Sequence, residues 1–236
     1  MRGILFDKDG TIIDYWRTWL PINRAAALYA AGGDKAIAED LLRLGGHDPA
    51  TDFITPGSPL AAGDAFDIAQ AFAARPGIAP AHRLVAGIER IFSTGGAKHS
   101  TLISGVGDTL AELKRRGFRI GLATNDTGAG LEASLAPHGI RGLFDFAVGC
   151  DQGFGSKPDP RMVEAFCTAM RVRCDEVAMV GDAAHDLAMG RAAGVAMNVG
   201  VLSGTSRRQD LEELADLVLD SINDLPGRPE FQGATG

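Results

Sequence analysis

Gly3-Ile4-Leu5-Phe6-Asp7-Lys8-Asp9-Gly10-Thr11 is the stretch whose reading decides the fold. An apolar run flows directly into two carboxylates, so a buried strand ends in acids. Isolated carboxylates prefer water and cost several kcal/mol when desolvated, so a strand that ends this way holds a cation or an unusual proton equilibrium at its tip. Residues two apart on an extended chain point the same way. Asp7 and Asp9 can therefore serve one site, while Gly10 permits a sharp exit from the sheet. The pair suits a nucleophile beside a general acid. The competing reading is a strand followed by an Asp-Gly hairpin turn.

Outward from that strand, the chain after residue 104 alternates short apolar or β-branched runs with amphipathic helical patterns. This is the signature of a parallel sheet covered by helices on both faces. Val106, Leu110 and Leu113 share a helix face before a stop at Gly117, and Arg119 to Thr124 reads as a strand. A helix carrying Leu131 and Leu135 follows, then a strand from Phe146 to Cys150 and a helix carrying Val163, Phe166 and Met170. Asp159-Pro160 opens that helix, the carboxylate capping free N–H groups and the proline fitting the first turn. Strands are expected at Val177 to Gly181, Val195 to Val201 and Leu217 to Ile222, with a charged helix from Arg207 to Ala215 before the last. The tail from Gly227 to Gly236 lacks periodicity and is expected to fray.

Between residues 17 and 103 the rhythm changes to alanine-rich helical stretches broken by segments such as Thr55-Pro56-Gly57-Ser58-Pro59 and Arg75-Pro76-Gly77. No strand pattern is convincing there. The expected architecture is an α/β, Rossmann-like parallel-sheet core built from residues 1–16 and 104–236. An α-helical domain over 17–103 is inserted after the first strand.

Composition narrows the function. With 236 residues, 45% hydrophobic and 22% charged, the chain is long enough for a sizeable core and is not disordered as a whole. A formal charge of −7 argues against a general binder of nucleic acid or anionic membranes, which needs a basic surface. Local charge still leaves a small anionic substrate open. Three cysteines cannot all pair and their spacing fits no zinc pattern, so Cys150, Cys167 and Cys174 read as reduced thiols of a cytoplasmic protein. The start runs straight into the motif strand, leaving no room for a signal peptide, and no apolar stretch approaches the roughly 18 residues that would span a membrane.

In open parallel sheets, ligands bind where loops leave the carboxyl ends of strands. Here those ends carry Asp7 and Asp9, then Thr124-Asn125-Asp126, then Gly181-Asp182 with Asp186 four residues on, and Ser156-Lys157-Pro158 lies in the loop between the last two. Four acids without a cation would repel one another. This set, in this order, resembles the four motifs of the haloacid dehalogenase superfamily in its phosphatase branch: Asp7-Lys8-Asp9-Gly10-Thr11, Thr124, Lys157, and Gly181-Asp182-Ala183-Ala184-His185-Asp186. Gly105-Val106 to Leu113-Lys114 and Ala192-Ala193-Gly194 look like phosphoglycolate-phosphatase-type members, and the helical insert matches that branch's cap domain.

The resemblance implies a small phosphorylated metabolite as substrate, phosphoglycolate first, and Mg²⁺ as cofactor. Asp7 would attack phosphorus and form an aspartyl-phosphate that water later hydrolyses, while Asp9 would protonate the leaving alcohol and then deprotonate the water. Asp7, the backbone carbonyl of Asp9, and Asp182 would hold Mg²⁺, with Asp186 supporting them from behind. Thr124 and Lys157, with donors near Asn125, would bind the phosphate oxygens. His185 reads as an exposed helix residue, and Tyr15, Trp16 and Trp19 as a packing cluster at the cap entrance. Lys8 is set aside, because the ion-pumping ATPases that share an Asp-Lys pair carry Thr where Asp9 stands. The rival functions are a dehalogenase, a phosphonate-cleaving enzyme, a phosphosugar mutase, or a non-catalytic binding protein on the same fold. Asp9 and Asp182 argue against the first; Lys35 and Lys98 are the only lysines of the insert that could serve the second.

Overall fold

The computed structural model describes residues 1–233. Strand β1 (Gly3–Asp7) is buried along its whole length and lies at the centre of a six-stranded sheet. Its partners on either side are β4 (Arg119–Thr124) and β6 (Val177–Gly181), both parallel to it. The sheet is completed by β5 (Phe146–Gly149) beyond β4, and by β7 (Met197–Val201) and then β8 (Leu217–Leu219) beyond β6, all parallel. The chain thus leaves β1 toward one edge and returns to build the other. That reversal beside β1 is where such sheets open a crevice at their carboxyl ends.

Alternation along β1 divides the core into two layers, because successive side chains leave a strand on opposite faces. Ile4 and Phe6 join helices α6 (Val106–Arg115) and α7 (Gly128–Leu135) through Leu110, Leu113, Leu131 and Leu135. Leu5 joins the opposite layer, with Met162, Val163 and Phe166 of α8 (Arg161–Met170) and Met189 of α9 (Ala184–Ala193). Phe166 fits because β1 and β4 offer glycines beneath it: a Cβ on Gly3 or Gly121 would come within 2.9 or 2.6 Å of the ring. Burying such a ring contributes about 2–3 kcal/mol.

Between β1 and α6 the chain forms five helices: α1 (Tyr15–Ala30), α2 (Lys35–Leu44), α3 (Pro59–Ala62), α4 (Ala65–Ala73) and α5 (Ala81–His99). Asp14, Asp34 and Asp64 cap α1, α2 and α4 by accepting backbone N–H groups. These helices close over a hydrophobic cluster of their own, including Trp19, Ile22, Leu41, Ile68, Phe72, Ile88 and Phe92 and no residue of the six-stranded sheet. The region is not wholly free of strands: β2 (His47–Asp48) and β3 (Phe53–Ile54) make a two-residue antiparallel pair, too short to leave a periodic signal.

Three elements of the second half differ from the sequence reading. The strand expected from Val195 starts at Met197, because Gly194 takes a left-handed conformation and the Val195 N–H returns to the Gly190 carbonyl to finish α9. The charged helix contracts to α10 (Arg208–Leu211), whose one buried residue, Leu211, anchors it. Ser221 accepts the Asn223 N–H and starts a 3₁₀ turn over Ile222–Gly227, which pulls Ile222 out of β8. The tail does not fray before residue 233: Phe231 is buried against Phe118 at 6.1 Å, and Arg116 donates to the Pro226 and Phe231 carbonyls at 2.8 and 2.9 Å. Residues 234–236 of that expectation lie outside the described residues.

Candidate active site

The carboxyl ends of β1, β4 and β6 bring the sequence motifs together. Just past β1 the chain turns back at once: Gly10 has φ of 86°, and the Ile12 and Ile13 N–H groups both donate to the Lys8 carbonyl. This loop holds Asp7 and Asp9 over the end of the sheet. Asp182 follows β6, and Asp186 sits on the first turn of α9, fully buried. One carboxylate oxygen from each of Asp7, Asp182 and Asp186 lies within 4.8 Å of the others.

The ammonium of Lys157 is inserted among them. It donates to Asp7 Oδ1, and to Asp186 Oδ1 at 2.7 Å. Asp186 Oδ2 also accepts the Ala183 N–H at 3.1 Å, and Asp182 Oδ2 accepts the Thr205 N–H at 2.8 Å. Asp7 Oδ2, equally buried, has no hydrogen-bond partner. One cation against three buried carboxylates leaves negative charge uncompensated, and the titration behaviour reflects it. Burial, reinforced by Asp186 and Asp9 against the opposing pull of Lys157, pushes Asp7 up to about 7. Burial with Asp7 and Asp186 also lifts Asp182 well above the usual carboxylate range. For Asp186, burial is outweighed by Lys157 and His185, which hold it below that range. An orphaned carboxylate oxygen beside two more acids is a hard-oxygen cradle short of one positive ion, and a divalent cation such as Mg²⁺ fits that donor set.

Thr124 is buried at the end of β4, and its hydroxyl accepts the Asp126 N–H at 3.1 Å. Asn125 clips three segments together. Its Nδ2 donates to the Ala62 carbonyl of the helical insert at 3.0 Å and its Oδ1 accepts the Lys157 N–H at 2.8 Å. The Asn125 side chain is thus engaged in holding the Lys157 loop and the insert to the core.

Asp9 faces the insert. Its Oδ1 accepts the Trp19 indole N–H at 2.6 Å and its Oδ2 lies 3.2 Å from the Lys8 ammonium. Lys8 is entirely buried: it also meets Asp126 Oδ2 at 2.6 Å and Ser134 Oγ at 3.3 Å, and its ammonium stands 5.5 Å from the centre of the Trp19 ring. Burial disfavours that charge, but Asp126 and Asp9 more than compensate and keep it protonated. Burial raises the Asp9 carboxyl against the pull of Lys8. The sequence reading set Lys8 aside and gave Trp19 a packing role only, so neither contact with Asp9 was expected. The available signal was Lys8 itself, a lysine at the end of a wholly buried strand, which has to find acids.

A cavity of about 150 Å³ lies between core and insert. The end of the sheet contributes Asp7, Asp9, Thr124, Asn125 and Asp182; α1 contributes Tyr15, Trp19 and Asn23, and α5 contributes Phe92, among others. Tyr15 and Trp19 therefore both pack and line, Trp19 meeting Phe92 edge to face at 4.9 Å. His185 is not an exposed helix residue. It is half-buried, lines the cavity, and places Nε2 3.5 Å from Asp186 Oδ1, with its pKa lowered by burial.

A family model described as a haloacid dehalogenase-like hydrolase matches residues 1–194. A phosphoglycolate phosphatase of Cereibacter sphaeroides is 32% identical over 203 residues, covering 83% of each chain. One of Vibrio cholerae is 28% identical over 230 residues, covering 95% of each. The crystal structure of CbbY from Rhodobacter sphaeroides, in complex with phosphate, superposes with a TM-score of 0.72 at 22% identity, over 98% of this chain and 99% of that one.

Proposed function

The chain belongs to the haloacid dehalogenase-like hydrolases and is an enzyme of the phosphoric monoester class, and from that premise we propose that it hydrolyses a small phosphomonoester through an aspartyl-phosphate, with Mg²⁺ as cofactor. The observation that carries the reading is Asp7 Oδ2: a buried carboxylate oxygen with no partner, beside Asp182 and Asp186, on a residue that lines a cavity. Asp7, the carbonyl of Asp9 and Asp182 would hold the metal, with Asp186 behind them. The metal neutralises charge on the phosphoryl oxygens when bound.

Asp7 attacks phosphorus; the bond to the leaving oxygen breaks as the Asp7–phosphorus bond forms. Asp9 gives that oxygen its proton and afterwards takes one from the water that attacks the aspartyl-phosphate. An acid whose carboxyl burial raises suits the first role, and the Trp19 and Lys8 contacts fix its direction. Lys157 balances the acids and draws charge from the transferring group, with the Thr124 hydroxyl at the phosphate pocket. Asn125 contributes by holding the Lys157 loop in place. In the same proposal residues 17–103 are the cap over a core of 1–16 and 104–236, and their contact at Asn125–Ala62 is one that opening would break. A cytoplasmic setting belongs to it too; the three cysteines are free, and no helix of the described residues is long and apolar enough to cross a membrane.

The test is hydrolysis of p-nitrophenyl phosphate by the purified protein with Mg²⁺ and with chelator. Turnover that needs the metal supports the reading, and metal-independent turnover or none at all contradicts it. A dehalogenase needs neither Asp9 nor a metal cradle, and a non-catalytic protein would not be expected to keep every acid of the set. The relatives are named for phosphoglycolate, which is the first compound that similarity offers. At 28–32% identity the chemistry at phosphorus transfers more securely than the choice of leaving group, which the cavity wall sets.

A further inference from the structure

Three cysteines cannot all pair, but two of them can, and the fold brings two together. Cys167 lies on the last turn of α8, and Cys174 opens the 3₁₀ turn Cys174–Glu176 that leads into β6. Between them Arg171 takes a left-handed conformation, with φ of 56°, which ends α8 and folds the chain back on it. The Val172 N–H then donates to the Cys167 carbonyl at 3.0 Å. Two residues later Cys174 reaches Cys167, and its thiol donates to Cys167 Sγ at 3.0 Å.

The turn that carries Cys174 is itself fixed. The Arg173 N–H donates to the Glu176 carboxylate at 2.9 Å, and the Glu176 N–H returns to the Arg173 carbonyl at 3.0 Å. The Arg2 N–H, just before β1, donates to the Glu176 carbonyl at 2.7 Å. Backbone hydrogen bonds therefore set the approach of the two sulfurs from both sides. Closing it to a disulfide of roughly 2.05 Å takes about 1 Å of side-chain movement.

The two thiols are unequal. Cys167 is buried, and burial together with the Cys174 contact raises its thiol above the ordinary range, which makes it a poor nucleophile toward a reagent in solution. Cys174 is half-buried, so a reagent meets it first. Cys150 stands apart: it follows β5 at the carboxyl end of the sheet and lines the cavity, whereas the pair lies at the amino end of β6.

We infer that Cys167 and Cys174 form a modification site, a dithiol that closes to a disulfide by exchange with a small disulfide such as glutathione disulfide, and so staples the end of α8 to the start of β6. The Cys174 thiolate attacks one sulfur of glutathione disulfide, which forms a mixed disulfide and expels one glutathione thiolate. The Cys167 sulfur then loses its proton, attacks Cys174 Sγ and expels the second glutathione. Two electrons pass from the protein to the reagent: two S–H bonds are lost, one S–S bond forms within the chain, and two glutathione thiols are released with the protons. The site lies at the end of the sheet away from Asp7 and does not depend on the phosphatase reading.

The test is incubation of the full chain with excess glutathione disulfide, acid quenching, alkylation with N-ethylmaleimide, tryptic digestion and mass spectrometry. The expected product links the peptides of residues 162–171 and 174–191, leaves Cys150 alkylated and is reversed by dithiothreitol. The loop it closes is short, and the linked protein is expected to melt roughly 5 °C above the reduced one. Cys174→Ser should abolish both the link and the rise. Cys167→Ala should stop at the mixed disulfide, with one glutathione retained on Cys174. Alkylation of both thiols in the treated parent overturns the inference, as does glutathione retained on its Cys174 or a link that involves Cys150. A linked form that melts no higher than the reduced one overturns the staple.

Discussion

Replacing Lys8 by Met tests how the site is held together. The ammonium is wholly buried, 2.6 Å from Asp126 Oδ2 and 3.2 Å from Asp9 Oδ2, with Ser134 Oγ at 3.3 Å. Met keeps most of the stem's packing and removes the charge, leaving two acids facing each other around an apolar tip. Removing one partner of a buried ion pair costs about 3–5 kcal/mol, because the remaining charge stays desolvated and unpaired. A surface pair would cost under about 1 kcal/mol. Against a total stability on the order of 5–15 kcal/mol the difference is easily measured. With a urea m value of about 2–3 kcal/mol per molar, the midpoint should fall by roughly 1–2 M at unchanged m. Adding Asp126→Asn to Lys8→Met removes one of the stranded charges and should restore part of the loss, giving a coupling of about 1–3 kcal/mol in a double-mutant cycle. A Lys8→Met midpoint within about 0.3 M of the parent would refute the reasoning, since it would mean that the ammonium is solvated or exchangeable.

Other consequences are as direct. Trp19→Phe keeps the ring against Phe92 but deletes the N–H that reaches Asp9 at 2.6 Å; kcat is expected to fall about tenfold with KM little changed, and an activity within about twofold of the parent contradicts the assigned role. Gly204→Ala would put a Cβ 1.8 Å from Asp182 Oδ2 and 2.6 Å from Asp182 Cβ, so calorimetric Mg²⁺ affinity should drop at least about tenfold; unaltered affinity would exclude Asp182 as a ligand in this position. Asp7 has its pKa raised from 3.8 to about 7 chiefly by burial, so the folded protein holds a proton that the unfolded chain has lost. The resulting penalty is absent below about pH 4, grows as pH rises toward 7, and is complete above it. In chelator, Asp7→Asn should therefore melt higher than the parent at pH 8, with the gap closing toward pH 4; a variant that melts lower at pH 8 contradicts this.

Much of the fold could be read because its signals were local. The strand that ends in Asp7, the helix faces of Leu110 and Leu113 or Val163 and Phe166, and the polar ends of β4 and β6 are each written within a few residues, and the sheet rule collects them. Boundaries were missed where tertiary contacts took over: Val195 completes the cap of α9, and Phe231 docks on Phe118, neither of which periodicity reveals. At the site, residue types named the acids and Lys157 but not their pairing. Donors near Asn125 were assigned to phosphate, but spacing gave no sign that its side-chain amide ties Lys157 to Ala62, which lies 63 positions before Asn125. The ties of Lys8 to Asp126 and of Trp19 to Asp9 escaped because they arise only when the end of β4 and α1 are laid against the end of β1, a juxtaposition with no counterpart in sequence spacing.

Acid quenching during turnover of p-nitrophenyl phosphate with Mg²⁺, followed by mass spectrometry of the peptide that contains Asp7, reaches the central claim most directly. The account predicts one phosphoryl group on Asp7 in the parent, and neither that adduct nor turnover in Asp7→Asn. A phosphoryl group on another side chain, or undiminished hydrolysis by Asp7→Asn free of contaminating phosphatase, would contradict it.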